Sequence, residues 1–166
     1  MEGAVTNMLS PGDKAICIRS GKFGERWANI CKAYGVEAIN IDLPWGDILD
    51  PATVEKTLKA NPGAKAVYMQ ATETSTGAKF PVKEVAAIVR NYPSTLMVVD
   101  GITGVGVFEL PQDAWNIDIL VAGSQKALML PPGLAFAGVS DKAWGFNKTS
   151  KIPKFYFNWK KELEKI

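Results

Sequence analysis

The sequence predicts an α/β fold, a three-layer α/β/α arrangement around a mostly parallel sheet of about six strands. Short apolar runs alternate with amphipathic segments of about ten residues, and turns containing glycine or proline separate them. This alternation is typical of βαβ units, in which a helix returns the chain to the next parallel strand. The chain has 166 residues and no internal repeat or linker, so a single domain over residues 1–166 is expected.

The first part of the chain predicts helices with recognisable ends. Residues 1–9 place apolar side chains at helical spacing without an N-cap, which is typical of the tail of a helix, although a short N-terminal helix would look similar. Gly35 follows the amphipathic segment 25–34 as a C′ residue. Asp50 before Pro51 predicts an N-cap and the first residue of a helix that reaches about residue 60. The strands predicted between these helices cover residues 14–18, 37–41 and 65–70.

The second part of the chain continues the same alternation. Val85, Ile88 and Val89 share one face of a helix predicted over residues 81–92. Three apolar runs that are too short for helices predict buried strands at residues 96–99, 118–123 and 134–139. From residue 141 the pattern predicts a helix, a loop with proline and a final charged helix over residues 158–166.

The composition argues against a nucleic-acid or membrane partner. Hydrophobic residues make up 47% of the chain and charged residues 22%, and the net charge is only +2. The lysines are scattered without a basic block, which disfavours nucleic-acid binding. No apolar run approaches the roughly 18 residues that a membrane span needs, and no secretory leader is evident. We therefore expect a cytoplasmic protein.

Histidine is absent from the sequence. Its absence excludes Ser-His-Asp and Cys-His hydrolysis and argues against a zinc site, so no metal ligands are predicted. Acid–base chemistry near neutral pH would then need a perturbed lysine or a cofactor. Cys17 and Cys31 fall in a predicted strand and a predicted helix, where we expect buried thiols without a disulfide framework.

Lys126 is the strongest candidate for chemistry in the sequence. It follows the apolar strand 118–123 and precedes the rigid turn Leu130–Gly133, so it lies at the carboxyl end of a central strand, where open α/β sheets bind ligands. An apolar surrounding would remove water from its amine and favour the neutral, nucleophilic form, which suits Schiff-base formation. The alternative is an ordinary loop lysine that points to water.

Three more features follow the carboxyl ends of predicted strands, and all four should converge on one rim of the sheet. They are Phe23 in a glycine-containing turn, the hydroxyl-rich run Thr74–Thr76, and Asp100 at the end of strand 96–99. A buried carboxylate needs a cationic or hydrogen-bonding partner. A protonated pyridine nitrogen would serve Asp100 in this role.

The sequence motifs around these residues resemble those of a known family. The segments Val98–Thr103 (VVDGIT) and Gly123–Leu128 (GSQKAL), with Pro131–Gly133 behind them, are similar to the class V aminotransferases, which are pyridoxal-phosphate (PLP) enzymes of fold type I. The likeness is greatest to the alanine/serine-glyoxylate aminotransferase branch and covers almost the whole chain. It implies part of a PLP-binding large domain that lacks the small domain. The implied substrates are small amino acids and 2-oxo acids.

The resemblance also implies roles for the two central residues. Lys126 would form the internal aldimine with pyridoxal 5'-phosphate and later carry a proton between the substrate and the cofactor. Asp100 would hold the proton on the pyridine nitrogen, which keeps the ring an electron sink.

Four further residues receive cofactor-binding roles from the same resemblance. Ile102 would pack on one ring face and Phe23 on the other, Thr74 would lie near the phenolic oxygen, and Gln125 would help to hold the phosphate. The alternative for Ile102 and Phe23 is a plain core position, and the alternative for Thr74 is a cap within its loop.

Other assignments fit the sequence less well. Cysteine desulfurases and kynureninases carry a histidine beside the lysine, and this chain has none. The glycine-rich run Gly101–Gly106 lacks the G-x-G-x-x-G spacing of a dinucleotide site. A class V PLP lyase and a non-catalytic α/β module that self-associates stay open as alternatives.

The chain is shorter than a full enzyme of this family, so we expect a fragment with little activity of its own. The phosphate-cradling loop, the substrate-carboxylate arginine and the partner subunit's contributions would lie outside it. Strand 134–139 should run antiparallel and form an exposed apolar edge, which favours pairing with another chain and predicts a homo-oligomer.

Overall fold

The structure, a computed structural model, describes residues 1–165. Its elements alternate as the sequence predicts, and the sheet contains six strands in the order β2-β1-β3-β6-β7-β8. The strands are β1 Lys14–Arg19, β2 Glu37–Asp42, β3 Ala64–Gln70, β4 Thr72–Glu73, β5 Ala78–Lys79, β6 Leu96–Asp100, β7 Ile119–Gly123 and β8 Ala135–Val139. The helices are α1 Glu2–Thr6, α2 Lys22–Ala33, α3 Pro51–Ala60, α4 Val82–Val89, α5 Asp141–Asn147 and α6 Trp159–Leu163.

The sheet is mostly parallel. Strands β2, β1, β3, β6 and β7 pair in parallel with their neighbours, and β8 pairs antiparallel with β7. Strands β4 and β5 form a separate antiparallel hairpin after β3. The parallel strands therefore present their carboxyl ends at one edge, which is where the sequence places its candidate residues.

Apolar side chains cover both faces of the sheet. On one face, buried residues of β1, β3 and β6 pack against α1, α2 and α5, and Trp27 of α2 stacks on Tyr68 of β3 with ring centroids 4.6 Å apart. On the other face, α3 and α4 bury Leu58 and Val85 against alternate residues of the same strands. The predicted three-layer α/β/α architecture is confirmed.

Several predicted boundaries and caps are confirmed. Asp50 caps α3 by accepting a hydrogen bond from the Ala52 amide at 2.9 Å, and Pro51 is the first helical residue. Gly35 follows α2 with a φ of 71°, a conformation that favours glycine. The thiols of Cys17 and Cys31 are buried and free, and their sulfurs lie 4.0 Å apart. The pKa of Cys17 is raised, mainly by the hydrogen bond with Cys31 and to a smaller extent by burial.

Several boundaries differ from the sequence prediction, as in the final helix, which is observed at Trp159–Leu163. Helix α2 begins at Lys22, earlier than the predicted residue 25, because a carboxylate satisfies its first amides. Helix α4 ends at Val89 because the amides of Asn91 and Tyr92 bond to carbonyls three residues back and form single turns before Pro93. The hydroxyl-rich run Thr74–Thr76 lies in the turn of the short β4–β5 hairpin.

Two other expectations concern the molecular surface. Strand β8 is antiparallel and lies at the end of the sheet, and no strand within residues 1–165 covers its outer side. Phe136 and Leu134 are large exposed apolar side chains there. None of the helices in this part of the chain combines the length and apolar character needed to cross a bilayer.

Candidate functional site

Asp100 ends β6 as a buried carboxyl with 6% exposure. The Ile102 amide donates to its Oδ1 at 2.9 Å, and no other hydrogen bond within residues 1–165 reaches the carboxyl group. Burial raises the pKa of Asp100, while the Ile102 hydrogen bond and the positive amino group of Met1 oppose this rise. A buried carboxyl with spare acceptor capacity is suited to binding a cationic N–H group.

Lys126 lies in the loop that follows β7, the strand beside β6. Buried Ser124 holds this loop: its hydroxyl donates to the Pro131 carbonyl at 2.7 Å, and its amide donates to the Leu134 carbonyl at 3.0 Å. Lys126 itself is exposed, so the predicted apolar surrounding is wrong for residues 1–165. The reason is that residues 125–134 lie mostly on the surface and no described element packs over them.

Phe23 and Ile102 are both partly buried near the carboxyl ends of the strands. Phe23 belongs to the first turn of α2 rather than to a preceding loop. The guanidinium of Arg26 lies 4.8 Å from the centroid of its ring, so one ring face is covered by a cation. The other face is the one that a flat ligand would have to use.

Thr74 and Gln125 are exposed side chains at the same end of the sheet. The hydroxyl of Thr74 lies 3.2 Å from the hydroxyl of Thr103, and this contact joins the β4–β5 hairpin to the segment after Asp100. Gln125 folds its amide oxygen back over Gly123, to 2.8 Å from the place a Cβ would occupy. A Cβ at position 123 would require the exposed Gln125 side chain to shift.

The structure therefore brings the candidates together unevenly. Phe23, Thr74, Asp100 and Ile102 lie on elements that contact one another. Lys126 follows the adjacent strand at the same sheet edge, but no hydrogen bond or ion pair within residues 1–165 joins it to Asp100.

Glu73 is a site residue that sequence reasoning missed. It is fully buried, and its carboxylate accepts hydrogen bonds from the amides of Phe23 at 3.3 Å, Gly24 at 3.0 Å and Ser75 at 3.2 Å. The Ser75 hydroxyl also donates to it at 2.6 Å. A glutamate inside a hydroxyl-rich loop directly after a buried strand was the available sequence signal.

Gln70 is the second missed residue. It ends β3, it is fully buried, and neither polar atom of its side-chain amide has a hydrogen-bond partner within residues 1–165. The buried hydroxyl of Ser20, at the end of β1, is also without a partner there. Buried polar groups are nearly always paired, so polar atoms left over at a sheet edge indicate a place for a polar ligand or water.

These observations test whether the residues fit a pyridinium cofactor. The Asp100 carboxyl can accept a ring N–H, Phe23 offers an aromatic ring for stacking, and the Gln70 amide lacks a partner within residues 1–165. Lys126 supplies a primary amine at the same edge of the sheet. The donor and acceptor set fits such a group.

Comparisons with known proteins agree with this reading of the fold. The family model described as "Aminotransferase class-V" matches residues 2–152. A Synechococcus protein described as "Soluble hydrogenase, small subunit" is 40% identical over 160 residues, 95% of this chain and 42% of its own length. An "L-aspartate--glyoxylate aminotransferase" of Paracoccus denitrificans is 38% identical over 164 residues, which is 95% of this chain and 40% of that protein's length.

A solved structure gives the same result at the level of the fold. The crystal structure of an alanine--glyoxylate aminotransferase from Nostoc sp. superposes with a TM-score of 0.93 at 28% sequence identity. The superposition covers 99% of this chain and 44% of that one. The chain thus spans less than half the length of the relatives that it matches.

Proposed function

The chain belongs to the class-V aminotransferase family, and from this premise we propose that it is part of the PLP-binding large domain of an aminotransferase. The whole protein would transfer an amino group from a small amino acid to glyoxylate or a similar 2-oxo acid. Pyridoxal phosphate, when bound, supplies the electron sink for this chemistry. The single observation that carries the proposal is the buried Asp100 carboxyl, which has one hydrogen-bond partner within residues 1–165 and lies at the edge where Lys126 also lies.

The residues of the chain would divide the work in the proposed site. Asp100 would accept a hydrogen bond from the ring nitrogen and hold its proton, since a buried carboxylate beside a cationic N–H forms a strong, charge-assisted bond. Phe23 and Ile102 would cover the two ring faces. Thr74 would bond the ring oxygen and Gln125 the phosphate.

The Lys126 amine would bind the cofactor covalently and afterwards hold or release the proton at its Nζ. This role requires a neutral amine. Because Lys126 is exposed within residues 1–165, further covering groups would be needed to remove water from it. We therefore propose weak cofactor binding and little turnover for these 166 residues alone.

The choice of substrate rests on relatives. The Paracoccus protein is named for aspartate and glyoxylate and the Nostoc protein for alanine and glyoxylate, so glyoxylate is the shared acceptor. Names alone do not decide the activity, since the Synechococcus relative carries a hydrogenase name. The proposal of transamination is carried by the Asp100 and Lys126 positions rather than by a name.

Cofactor titration with reductive trapping tests the proposal. The 166-residue chain is titrated with pyridoxal phosphate, reduced with borohydride and digested, and the modified lysine is located by mass spectrometry. We expect a visible absorption band in the unreduced protein and modification concentrated on Lys126. In Lys126→Ala the band should disappear, while Lys148→Ala, which changes another exposed lysine, should keep it. Equal modification of many lysines, or no band with cofactor in large excess, would refute the proposal.

A second candidate function is a non-catalytic module that self-associates. It is favoured by the exposure of Lys126 and by the uncovered apolar edge strand β8. Either function is compatible with a homo-oligomer, which we propose because an unpaired apolar strand edge favours pairing with another chain. An unmodified Lys126 in a protein that nevertheless associates would favour the second candidate.

A further inference from the structure

The Glu73 carboxylate joins two segments of the chain that are 50 residues apart in sequence. Two of its four hydrogen bonds come from the amides of Phe23 and Gly24, in the first turn of α2. The other two come from the amide and hydroxyl of Ser75, in the turn of the β4–β5 hairpin.

The two α2 amides depend on this carboxylate. The first amides of a helix have no intrahelical carbonyl to bond, so a side chain, water or ligand must accept from them. Gly21, the N-cap residue, makes no side-chain cap, and Glu73 replaces it from the hairpin. A carboxylate at the positive end of the helix dipole is favourable as well.

The first turn of α2 and the β4–β5 hairpin approach each other closely around Glu73. A Cβ at Gly21 would overlap the Ser75 hydroxyl and lie 2.6 Å from the Glu73 carboxyl carbon, so a larger residue there would require these side chains to shift. The Lys22 amide adds a hydrogen bond to the Ser75 hydroxyl at 3.2 Å. These hydrogen bonds hold the first turn of α2 close to the β4–β5 hairpin.

We propose that Glu73 is a positioning residue that fixes Phe23 relative to Thr74. Phe23 bonds Glu73 through its own amide, and Thr74 lies between Glu73 and Ser75, so the carboxylate holds both residues without touching a ligand itself. The inference rests on the proposed function, in which Phe23 covers a ring face and Thr74 bonds the ring oxygen. It implies that loss of Glu73 frees both walls of the site together.

Amide hydrogen exchange tests the connection without any cofactor. In the cofactor-free chain, NMR exchange rates are measured for Phe23, Gly24 and Ser75 in wild type, Glu73→Gln and the control Glu84→Gln, which changes an exposed glutamate of α4. We expect all three amides to exchange at least about tenfold faster in Glu73→Gln, the factor that a loss of 1.4 kcal/mol gives. Glu84→Gln should match wild type.

Cofactor binding tests the positioning role. Glu73→Gln should weaken pyridoxal phosphate binding about tenfold and reduce the visible circular dichroism per bound cofactor, because a ring held between unfixed walls loses its asymmetric surroundings. If Glu73→Gln does not fold, Ser75→Ala removes one donor to the same carboxylate, together with the acceptor of the Lys22 amide, and should show the same changes at smaller size.

The outcomes separate the two proposals. Unchanged exchange at Phe23 and Gly24 would overturn the role of Glu73, whatever the cofactor does. Unchanged affinity and circular dichroism in a variant with faster exchange would also overturn it, because Glu73 would then be a helix cap only. A wild-type chain that binds no cofactor refutes the proposed function, and it overturns the positioning role with it, while the exchange data still show whether the connection exists.

Discussion

Gln70 and Asp100 lie side by side at the carboxyl ends of neighbouring parallel strands. They are register partners in β3 and β6, and the Ala71 amide donates to the Asp100 carbonyl at 2.8 Å. By strand alternation both side chains lie on the sheet face of Tyr68 and Val98, which packs against α1 and α2. Both side chains are buried. Among residues 1–165 the Gln70 amide has no hydrogen-bond partner and the Asp100 carboxyl has one.

Replacing Gln70 with leucine should stabilise the cofactor-free protein. The buried amide is unpaired within residues 1–165, and such a group costs about 1–3 kcal/mol, which an apolar side chain of similar size would avoid. Urea unfolding should therefore show Gln70→Leu to be about 1–3 kcal/mol more stable than wild type. If the amide serves the ligand, the same change should weaken pyridoxal phosphate binding.

The control for this variant is Gln112→Leu, at a partly buried loop position. Its unfolding free energy should stay within about 0.5 kcal/mol of wild type, as for ordinary surface changes. A Gln70→Leu protein that is less stable than wild type would show that the amide has a partner in solution, such as a bound water.

The pH dependence of stability should report the burial of Asp100. Burial raises its pKa, so the folded protein holds the proton more tightly than the unfolded chain does. The stabilisation is present below the ordinary pKa of 3.8 and is lost as pH rises through the raised folded value. Asp100→Asn keeps an oxygen for the Ile102 amide and carries no charge, so it should not show this loss.

Urea unfolding of both proteins over a pH series measures this difference. The free energy of unfolding of Asp100→Asn minus that of wild type should increase with pH above 3.8 and become constant once Asp100 is fully ionised. A difference that does not change with pH would mean that the folded and unfolded pKa values of Asp100 are equal.

The strands and the carboxyl edge could be predicted from sequence because local patterns determine them. Apolar runs and the Asp50–Pro51 and Gly35 end signals act over a few residues, and the structure confirms them. The position of Glu73 in a hydroxyl-rich loop was a sequence signal, but its role arises from partners on another element, which the local pattern does not reveal. Gln70 matters because its buried amide has no partner within residues 1–165, and no local pattern indicates this. The exposure of Lys126 could not be predicted for the same reason, because it depends on whether other elements of the structure pack over its loop.

Asp118 should make a large contribution to stability at the start of β7. It is 6% exposed and accepts hydrogen bonds from the Met97 amide at 2.8 Å and the Ser140 hydroxyl at 2.9 Å, with the Lys142 ammonium at 3.1 Å. Asp118→Ala removes the acceptor of the Met97 amide and the Ser140 hydroxyl, although Lys142 keeps its hydrogen bond to the Thr95 carbonyl. Breaking a buried ion pair from one side costs about 3–5 kcal/mol. Because Lys142 is partly exposed, we expect about 3 kcal/mol in urea unfolding.

Asp141→Ala is the matched control, since Asp141 is an exposed aspartate at the first residue of α5. It should cost no more than about 1 kcal/mol, the size of a favourable charge at a helix N-terminus. Equal losses in the two variants would show that the buried contacts of Asp118 contribute little.

Self-association through β8 is the last prediction. The outer side of β8 has no neighbour within residues 1–165, and residues 130–140 carry no charged side chain that would oppose pairing. Phe136, 43% exposed, is an apolar side chain that a second chain could cover. Size-exclusion chromatography with light-scattering detection should therefore show a molecular mass that rises with protein concentration.

A lysine on the edge should weaken this association. Phe136→Lys places a charge where a second strand would pair, and we expect the dissociation constant to rise at least about tenfold, equivalent to 1.4 kcal/mol. Phe155→Lys makes the same chemical change at an exposed phenylalanine outside the strand, so it should associate as wild type does. Equal weakening in both variants would place the contact outside β8, because only Phe136 lies on that edge.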